Sequence, residues 1–452
     1  MMHDFTLSHV AQSFGGTLMY PDCQFGTVAT DTRQIDEGQL FVALKGERFD
    51  AHQFLPEVAT RACGMVVERP VKDINVPQWV VPDTTAALGQ IALLNRQAFT
   101  GPLIAVTGSS GKTTVKEMIA AILRESGDVL ATKGNLNNQI GVPMTLLGLN
   151  SLHRFAVIEM GASGPGEIAY LCELARPDVV LVNNVLPAHM AGFGGMDDIA
   201  RAKGEIYRGV ARQGTAVINL DEPYAGQWEG SARAKVVGYS VSDDRADFYA
   251  RDIVADQWGC HSFVLVTPSG DVSVSLPLSG EHNVANALAA AACAYAVGAD
   301  LSMISTGLGK LQAVPGRLDR HQLANGAIVI DDTYNANPGS VKAAINTLMK
   351  FSGCRILVLG DMGELGVDEA QLHADVGRYA AEQGVDVLLA VGPLCTDAVQ
   401  AFGAQGHHFD SKATLTDCLR PLLAGNAVVL VKGSRFMAME DVVRQITKSG
   451  EQ

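Results

Sequence analysis

The sequence predicts an α/β protein of three domains, with a parallel sheet at its centre and a second doubly wound sheet at its C-terminus. Three observations carry this expectation. Short apolar runs alternate with helical patterns from about residue 103 onward, which argues for parallel sheets covered by helices on both faces. At 452 residues the chain is too long for one hydrophobic core. Nearly half of it is apolar and it holds 47 glycines, as suits many tight strand–helix turns.

Taken in order, residues 40–44 and 64–67 read as short strands, flanked by the polar loops 30–33 and 45–48. Pro82-Asp83-Thr84 marks a boundary, and Asp83 or Thr84 is expected to cap a helix reaching about Ala98. Residues 103–107, 155–160, 179–183 and 215–219 are buried-type strands, with a neighbouring strand at 129–132. Residues 197–210 read as one exposed helix. Residues 262–267 and 271–276 alternate with period two around Pro268-Ser269-Gly270, an antiparallel hairpin. Val314-Pro315-Gly316-Arg317 is the second boundary. Strands at 327–330, 355–360, 385–391 and 427–431 then alternate with helices. The expected domains are 1–82, 83–314 and 315–452.

The formal net charge of −14 argues against a nucleic-acid binder. The eight cysteines are scattered, with no two spaced as a zinc or redox pair, and read as reduced, buried thiols of a cytoplasmic protein. No signal peptide is expected from MMHDFTLSHV. The most apolar helical stretch, 284–298, is too short to span a bilayer and contains Asn286.

Residues 103–123 carry the strongest chemical signal. A strand leads into Gly108-Ser109-Ser110-Gly111, then Lys112, Thr113 and Thr114 open a helix. Loop N–H groups and the helix dipole attract phosphate there, Lys112 can reach the β- and γ-phosphates, and the Thr113 hydroxyl can hold Mg²⁺. The first glycine of the usual pattern is replaced by Val106, and a glycine-rich turn with a chance lysine is the bland alternative. Glu159 ends a strand of the same sheet, where it can ligate Mg²⁺ or simply be a surface carboxylate. Asn183, Asn184 and His189 follow another strand, and a lone histidine is usually structural. By spacing alone Lys203 is a solvated lysine. The loop 134–138 is either a turn or a ligand contact. Asn283 and Asn286 can simply be cap and first-turn residues of an alanine-rich helix. Three C-terminal strands end in polar clusters, 331–338, 361–364 and 432–435, which together point to a binding face.

TGSSGKTT, GNLNNQIGVP, VIEMGA, AHMAGFG, RAKGEI, GEHNVANALAA, VPGRL, DDTYNANPGS and VKGSR occur in this order over essentially the whole chain. Jointly they resemble the Mur ligase family, which forms amide bonds on UDP-linked muropeptides using ATP. DTR, FVALKGERFDAH, GDMGELG and the last two of those motifs are similar to the branch that adds D-alanyl-D-alanine. The D-N-P-R motif of the diaminopimelate-adding branch is absent.

The resemblance implies a P-loop ATPase domain at the centre, a UDP-substrate domain before it and a Rossmann-like domain after it. It implies ATP held by Gly108, Ser109, Ser110, Gly111, Lys112, Thr113 and Thr114, with Asn283, Asn286, Arg317 and Asp332 around adenine, phosphates and ribose. Two Mg²⁺ ions are implied, one at Thr113 and Glu159, the other at His189 and a carbamylated Lys203. Thr32, Glu47, Arg48 and Phe49 would face UDP, and Asn137 and Asn138 the UDP-sugar side. Asn335, Asn337 and Asp361 would face the incoming dipeptide. The implied substrates are UDP-N-acetylmuramoyl-tripeptide and D-alanyl-D-alanine, and the implied enzyme is a cytoplasmic monomer. A folylpolyglutamate synthetase-like ligase is the alternative enzyme, but that family opens directly on its ATPase domain. A P-loop switch is the alternative of another class, and the N-K-x-D guanine-reading motif is absent.

Overall fold

The computed structural model describes residues 1–46, 49–186, 193–312 and 315–447. Three main sheets follow one another along the chain, beside a two-stranded pairing of Phe5–Thr6 with Gln24–Phe25. The N-terminal sheet has five strands in the order Thr17–Met19, Gln78–Val80, Gly64–Val67, Leu40–Val42, Val28–Ala29. All are parallel except the antiparallel edge Thr17–Met19. The strand expected over 40–44 stops at Val42. Ala43 N–H still reaches Val66 O, but Lys45 then pairs back onto Asp50.

Helix Thr84–Ala98 joins this domain to the next. Its N-cap is Asp83, whose carboxylate accepts from the N–H groups of Thr85 at 2.7 Å and Ala86 at 3.1 Å, satisfying two of the donors that a helix start leaves free. Thr84 Oγ1 donates to Ala43 O, and buried Asn95 donates to Leu146 O and Leu149 O. The helix is thus hydrogen-bonded to the domains on either side of it.

The central sheet has nine strands, in the order Gly270–Ser279, Cys260–Thr267, Phe248–Ala255, Lys235–Ser240, Thr215–Asn219, Val179–Val182, Leu103–Thr107, His153–Glu159, Asp128–Ala131. The last seven are parallel, and the first two form the antiparallel hairpin. Leu103–Thr107 is buried throughout, as a strand packed on both faces must be. It lies between Val179–Val182 and His153–Glu159, so the three strands deliver Thr107, Asn183 and Glu159 to one edge. Helices Lys112–Arg124 and His282–Ala296 pack on one face through Met118, Ile119, Ile122, Ala287, Leu288 and Ala291. Each large apolar side chain buried there contributes roughly 1.5–3 kcal/mol. That packing anchors the first turn of Lys112–Arg124.

The single exposed helix expected over 197–210 is instead two short helices, Met196–Lys203 and Ile206–Gly209. Ile199, Ala200, Ala202 and Lys203 face inward. Gly204 separates the helices where a Cβ would lie 2.8 Å from the Trp228 indole nitrogen.

The C-terminal sheet has six strands, in the order Asp319–Gln322, Ile328–Asp332, Ala427–Lys432, Cys354–Gly360, Val387–Val391, Gly406–Phe409. Only Asp319–Gln322 is antiparallel. The strand expected from 385 begins at Val387, because Val385 N–H closes the preceding helix onto Ala380 O beside left-handed Gly384. Half of the eight cysteines are fully buried, fewer than the sequence leads one to expect. Cys23 and Cys63, far apart in sequence, are neighbours, and the Cys63 thiol together with burial pushes the Cys23 pKa up.

Candidate active site

A cleft of about 640 Å³ lies between the central and C-terminal sheets. Strand ends and the first turn of Lys112–Arg124 line it, as expected for open α/β sheets.

The phosphate loop folds tightly because of its glycines. Gly111 adopts φ 74° as the N-cap of Lys112–Arg124. A Cβ there would lie 2.7 Å from Asn183 Nδ2 and 3.0 Å from Asn286 Oδ1, so a side chain is excluded by both conformation and space. Among the described residues no side chain caps this helix, which leaves its first N–H groups to an anion. Lys112 folds over the loop and donates to Gly108 O at 2.8 Å. Withdrawal from water lowers its pKa, opposed by Glu159 and reinforced by Arg317.

Glu159 is 2% exposed. Its carboxylate accepts from Thr113 Oγ1 at 2.6 Å and from Asn137 Nδ2 at 2.8 Å. Thr113 Oγ1 also accepts from the Arg317 guanidinium at 2.8 Å. Arg317 comes from the C-terminal side, stacks at 4.0 Å over the Tyr334 ring and leaves its buried Nε without a partner among the described residues. Thr113 and Glu159 present oxygen donors alone, the set that Mg²⁺ prefers, and the unpartnered Nε is a ready donor to a phosphate oxygen.

Lys203 is 2% exposed and lines the same cleft. This overturns its reading as a solvated lysine: it lies on the buried face of its helix. Burial, with Lys112 adding repulsion, lowers its pKa to about 7.

Asn283 and Asn286 are buried and linked, with Asn286 donating to Asn283 Oδ1 at 2.9 Å and Asn283 to Ser279 O at 2.8 Å. The N-cap of their helix is Glu281, so neither is the cap. Asp332 pairs with buried Lys432 at 2.6 Å. Burial raises its pKa, and Lys432 opposes the shift. Asn335 accepts from Ala336 N–H. Asn337 caps helix Pro338–Leu348 in a reciprocal box with Ser340, and Asn138 accepts from Ile140 and Gly141 N–H. Their side-chain nitrogens are not used in these caps.

One cleft therefore gathers Ser109, Ser110, Gly111, Lys112, Thr113, Thr114, Asn137, Asn138, Glu159, Lys203, Asn283, Asn286, Arg317, Asp332, Asn335 and Asn337. Gly108 lies behind it, with its carbonyl turned to Lys112. Thr32 and Phe49 do not line it. Phe49 is 54% exposed on the N-terminal domain, stacked on Phe54. Asp361 does not line it either. It is buried, accepting Cys395 N–H at 2.9 Å, within 4.8 Å of His373 and Cys395. His373 already bonds Met362 N–H and Glu369 O through its two nitrogens. Glu47, Arg48 and His189 lie outside the described residues. Sequence reasoning gave no individual role to Tyr334 or Lys432, although VKGSR marked the strand end that carries the lysine.

Comparison with known proteins gives a consistent result. The chain matches the Mur ligase middle domain over residues 106–294 and the Mur ligase, glutamate ligase domain over residues 316–435. It is 46% identical to the UDP-N-acetylmuramoyl-tripeptide–D-alanyl-D-alanine ligase of Escherichia coli (strain K12), over 99% of this chain and 100% of that one. A crystal structure of MurF from Acinetobacter baumannii superposes with a TM-score of 0.93 at 38% identity, covering 99% of each chain. MurF ligase from Thermotoga maritima, solved in complex with ADP, superposes with a TM-score of 0.85 at 27% identity, covering 94% of this chain and 98% of that one.

Proposed function

This chain belongs to the Mur ligase family, and we infer that it is an ATP-dependent amide ligase that joins D-alanyl-D-alanine to UDP-N-acetylmuramoyl-tripeptide in peptidoglycan precursor synthesis. The observation that carries the reading is the full-length 46% identity to a ligase of that activity. The cleft geometry is in keeping with it.

A carboxylate is a poor electrophile at neutral pH. Transfer of the γ-phosphoryl group of ATP to a carboxylate oxygen of the tripeptide gives an acyl phosphate and ADP. The neutral amine of D-alanyl-D-alanine adds to the acyl carbon. The attacking nitrogen gives up a proton, phosphate leaves from the tetrahedral intermediate, and the neutral amide remains. The difficulty is the approach of two anions. Lys112, Arg317 and the free N–H groups of the first helical turn offset that repulsion by donating to phosphate oxygens. Thr113 and Glu159 would hold a Mg²⁺, which supplies further charge relief between the anions.

Lys203, after carbamylation, and His189 are assigned as ligands of a second Mg²⁺. A neutral amine adds to CO₂, forming an N–C bond and releasing one proton, so that a cation becomes an anion. The lowered pKa of Lys203 keeps neutral amine available near pH 7. Asn283, Asn286 and Asp332 are assigned to the nucleoside, Asn137 and Asn138 to the UDP-sugar, and Asn335 and Asn337 to the dipeptide. Asp361 would act on the dipeptide indirectly, its carboxylate holding Cys395 N–H and its carbonyl holding Ser434 N–H at 3.0 Å.

Domain 1–82 is assigned to UDP through Thr32, Glu47, Arg48 and Phe49, the exposed Phe49 ring offering a stacking face for a base. Domains 83–314 and 315–452 take ATP and the dipeptide. Eight free cysteines support a reducing, cytoplasmic setting. The test is ADP release with UDP-N-acetylmuramoyl-tripeptide in the presence and absence of D-alanyl-D-alanine. Release should require both. Equal turnover with a single amino acid in place of the dipeptide would remove the assignment.

A further inference from the structure

Beyond Val179–Val182 the chain continues into Asn183 and Asn184, and both engage the phosphate loop. Asn184 O accepts the Ser109 N–H at 2.9 Å. Asn184 Oδ1 accepts the Ser110 N–H at 2.8 Å, and Asn184 Nδ2 donates to Ser110 O at 3.1 Å. One side-chain amide thus engages both backbone groups of a single loop residue, as a residue on a neighbouring strand would. Ser110 N–H can only donate, which fixes the orientation of the amide. Asn183, 3% exposed, adds a second donor to Ser110 O at 3.0 Å and also bonds Asn286 Oδ1 at 3.0 Å. Its own carbonyl accepts from Asn219 Nδ2 at 3.1 Å, tying it to the next strand.

Two consequences follow. Two amide donors engage the Ser110 carbonyl and offset its partial negative charge. The N–H groups of Ser109 and Ser110 are occupied, which leaves the donors of the following helical turn to meet phosphate. We propose that Asn183 and Asn184 are positioning residues that hold the Ser110 peptide and so pre-set the phosphate loop. The proposal rests on the nucleotide reading of this cleft.

The experiment compares MgADP and AMP binding by calorimetry. Their affinity ratio reports the grip of the loop on the β-phosphate, and a general loss of stability would not change it. In Asn184→Ala the ratio should fall about tenfold, with affinity for the UDP-substrate unchanged. Asn184→Asp keeps the acceptor for Ser110 N–H but sets an oxygen against Ser110 O, and should lower the ratio as far. A folded variant with the unaltered ratio overturns the proposal. Hydrogen exchange on the unaltered protein supplies a readout that does not depend on variant folding: the Ser110 amide should be protected without nucleotide, and fast exchange there also overturns it. Absence of MgADP binding by the unaltered protein would instead remove the nucleotide reading itself.

Discussion

Lys203 shows how a residue's chemistry is set by the face it occupies. On a charged helical stretch its type and spacing describe a solvated side chain. Its burial depends on how its helix comes to lie beside the phosphate loop and Lys112, which local sequence does not encode. Once buried, its amine falls to about pH 7, so the neutral form that captures CO₂ is present above that pH and lost below it. Turnover should therefore fall in CO₂-depleted buffer, recover with bicarbonate, and depend on added bicarbonate most strongly below about pH 7. Labelled bicarbonate should give a carbamate carbon resonance that Lys203→Ala lacks, while that variant still binds ATP. Turnover indifferent to CO₂ together with an active Lys203→Ala would contradict this. Asn337 poses a different question, because its oxygen caps a helix. Asn337→Asp keeps the cap but loses the amide donor. The melting temperature should stay within a degree or two, while KM for D-alanyl-D-alanine rises about tenfold. An unchanged KM would leave Asn337 with the cap alone.

At the scale of elements, what was legible was what is local. The phosphate loop, the Asp83 cap and the hairpin after Cys260–Thr267 are written in neighbouring residues, and the structure places them at or close to the expected positions. Strand order is not local. That Leu103–Thr107 lies between His153–Glu159 and Val179–Val182 follows from packing of the whole sheet, and only then do Thr113, Glu159 and Asn183 become neighbours. The same holds at the C-terminal edge, where Ile328–Asp332 pairs with Ala427–Lys432 and brings Asp332 against Lys432. Removing one partner of a buried pair leaves an uncompensated charge. Lys432→Met should cost about 3–5 kcal/mol near pH 8. Burial already raises the Asp332 pKa, and loss of Lys432 raises it further. The folded variant then binds a proton that the unfolded chain releases above about pH 4, so its deficit should shrink toward pH 5 and deepen as pH rises. Urea unfolding at the two pH values tests this; equal deficits would contradict it.

At the scale of the whole molecule, the cleft exists because segments far apart in sequence converge. Arg317 reaches Thr113 across 204 positions, and the contact joins the C-terminal domain to the phosphate loop. Three substrates must meet in one orientation for the chemistry assigned here, and a site shared between domains can assemble that arrangement. Domain order was legible because each motif is short and the series follows one order along the chain. The closeness of Arg317, Glu159 and Lys203 was implied only by family resemblance, since no spacing rule relates residues on different sheets. The central claim is that the tripeptide carboxylate is activated by phosphorylation before the dipeptide amine attacks. Isotope transfer tests it most directly. UDP-N-acetylmuramoyl-tripeptide carrying heavy oxygen in its reacting carboxylate is turned over with ATP and D-alanyl-D-alanine, and the products are weighed by mass spectrometry. The account predicts that one labelled oxygen leaves with the inorganic phosphate and that the UDP-pentapeptide retains the other in its new amide. Unlabelled phosphate beside a labelled pentapeptide would contradict it.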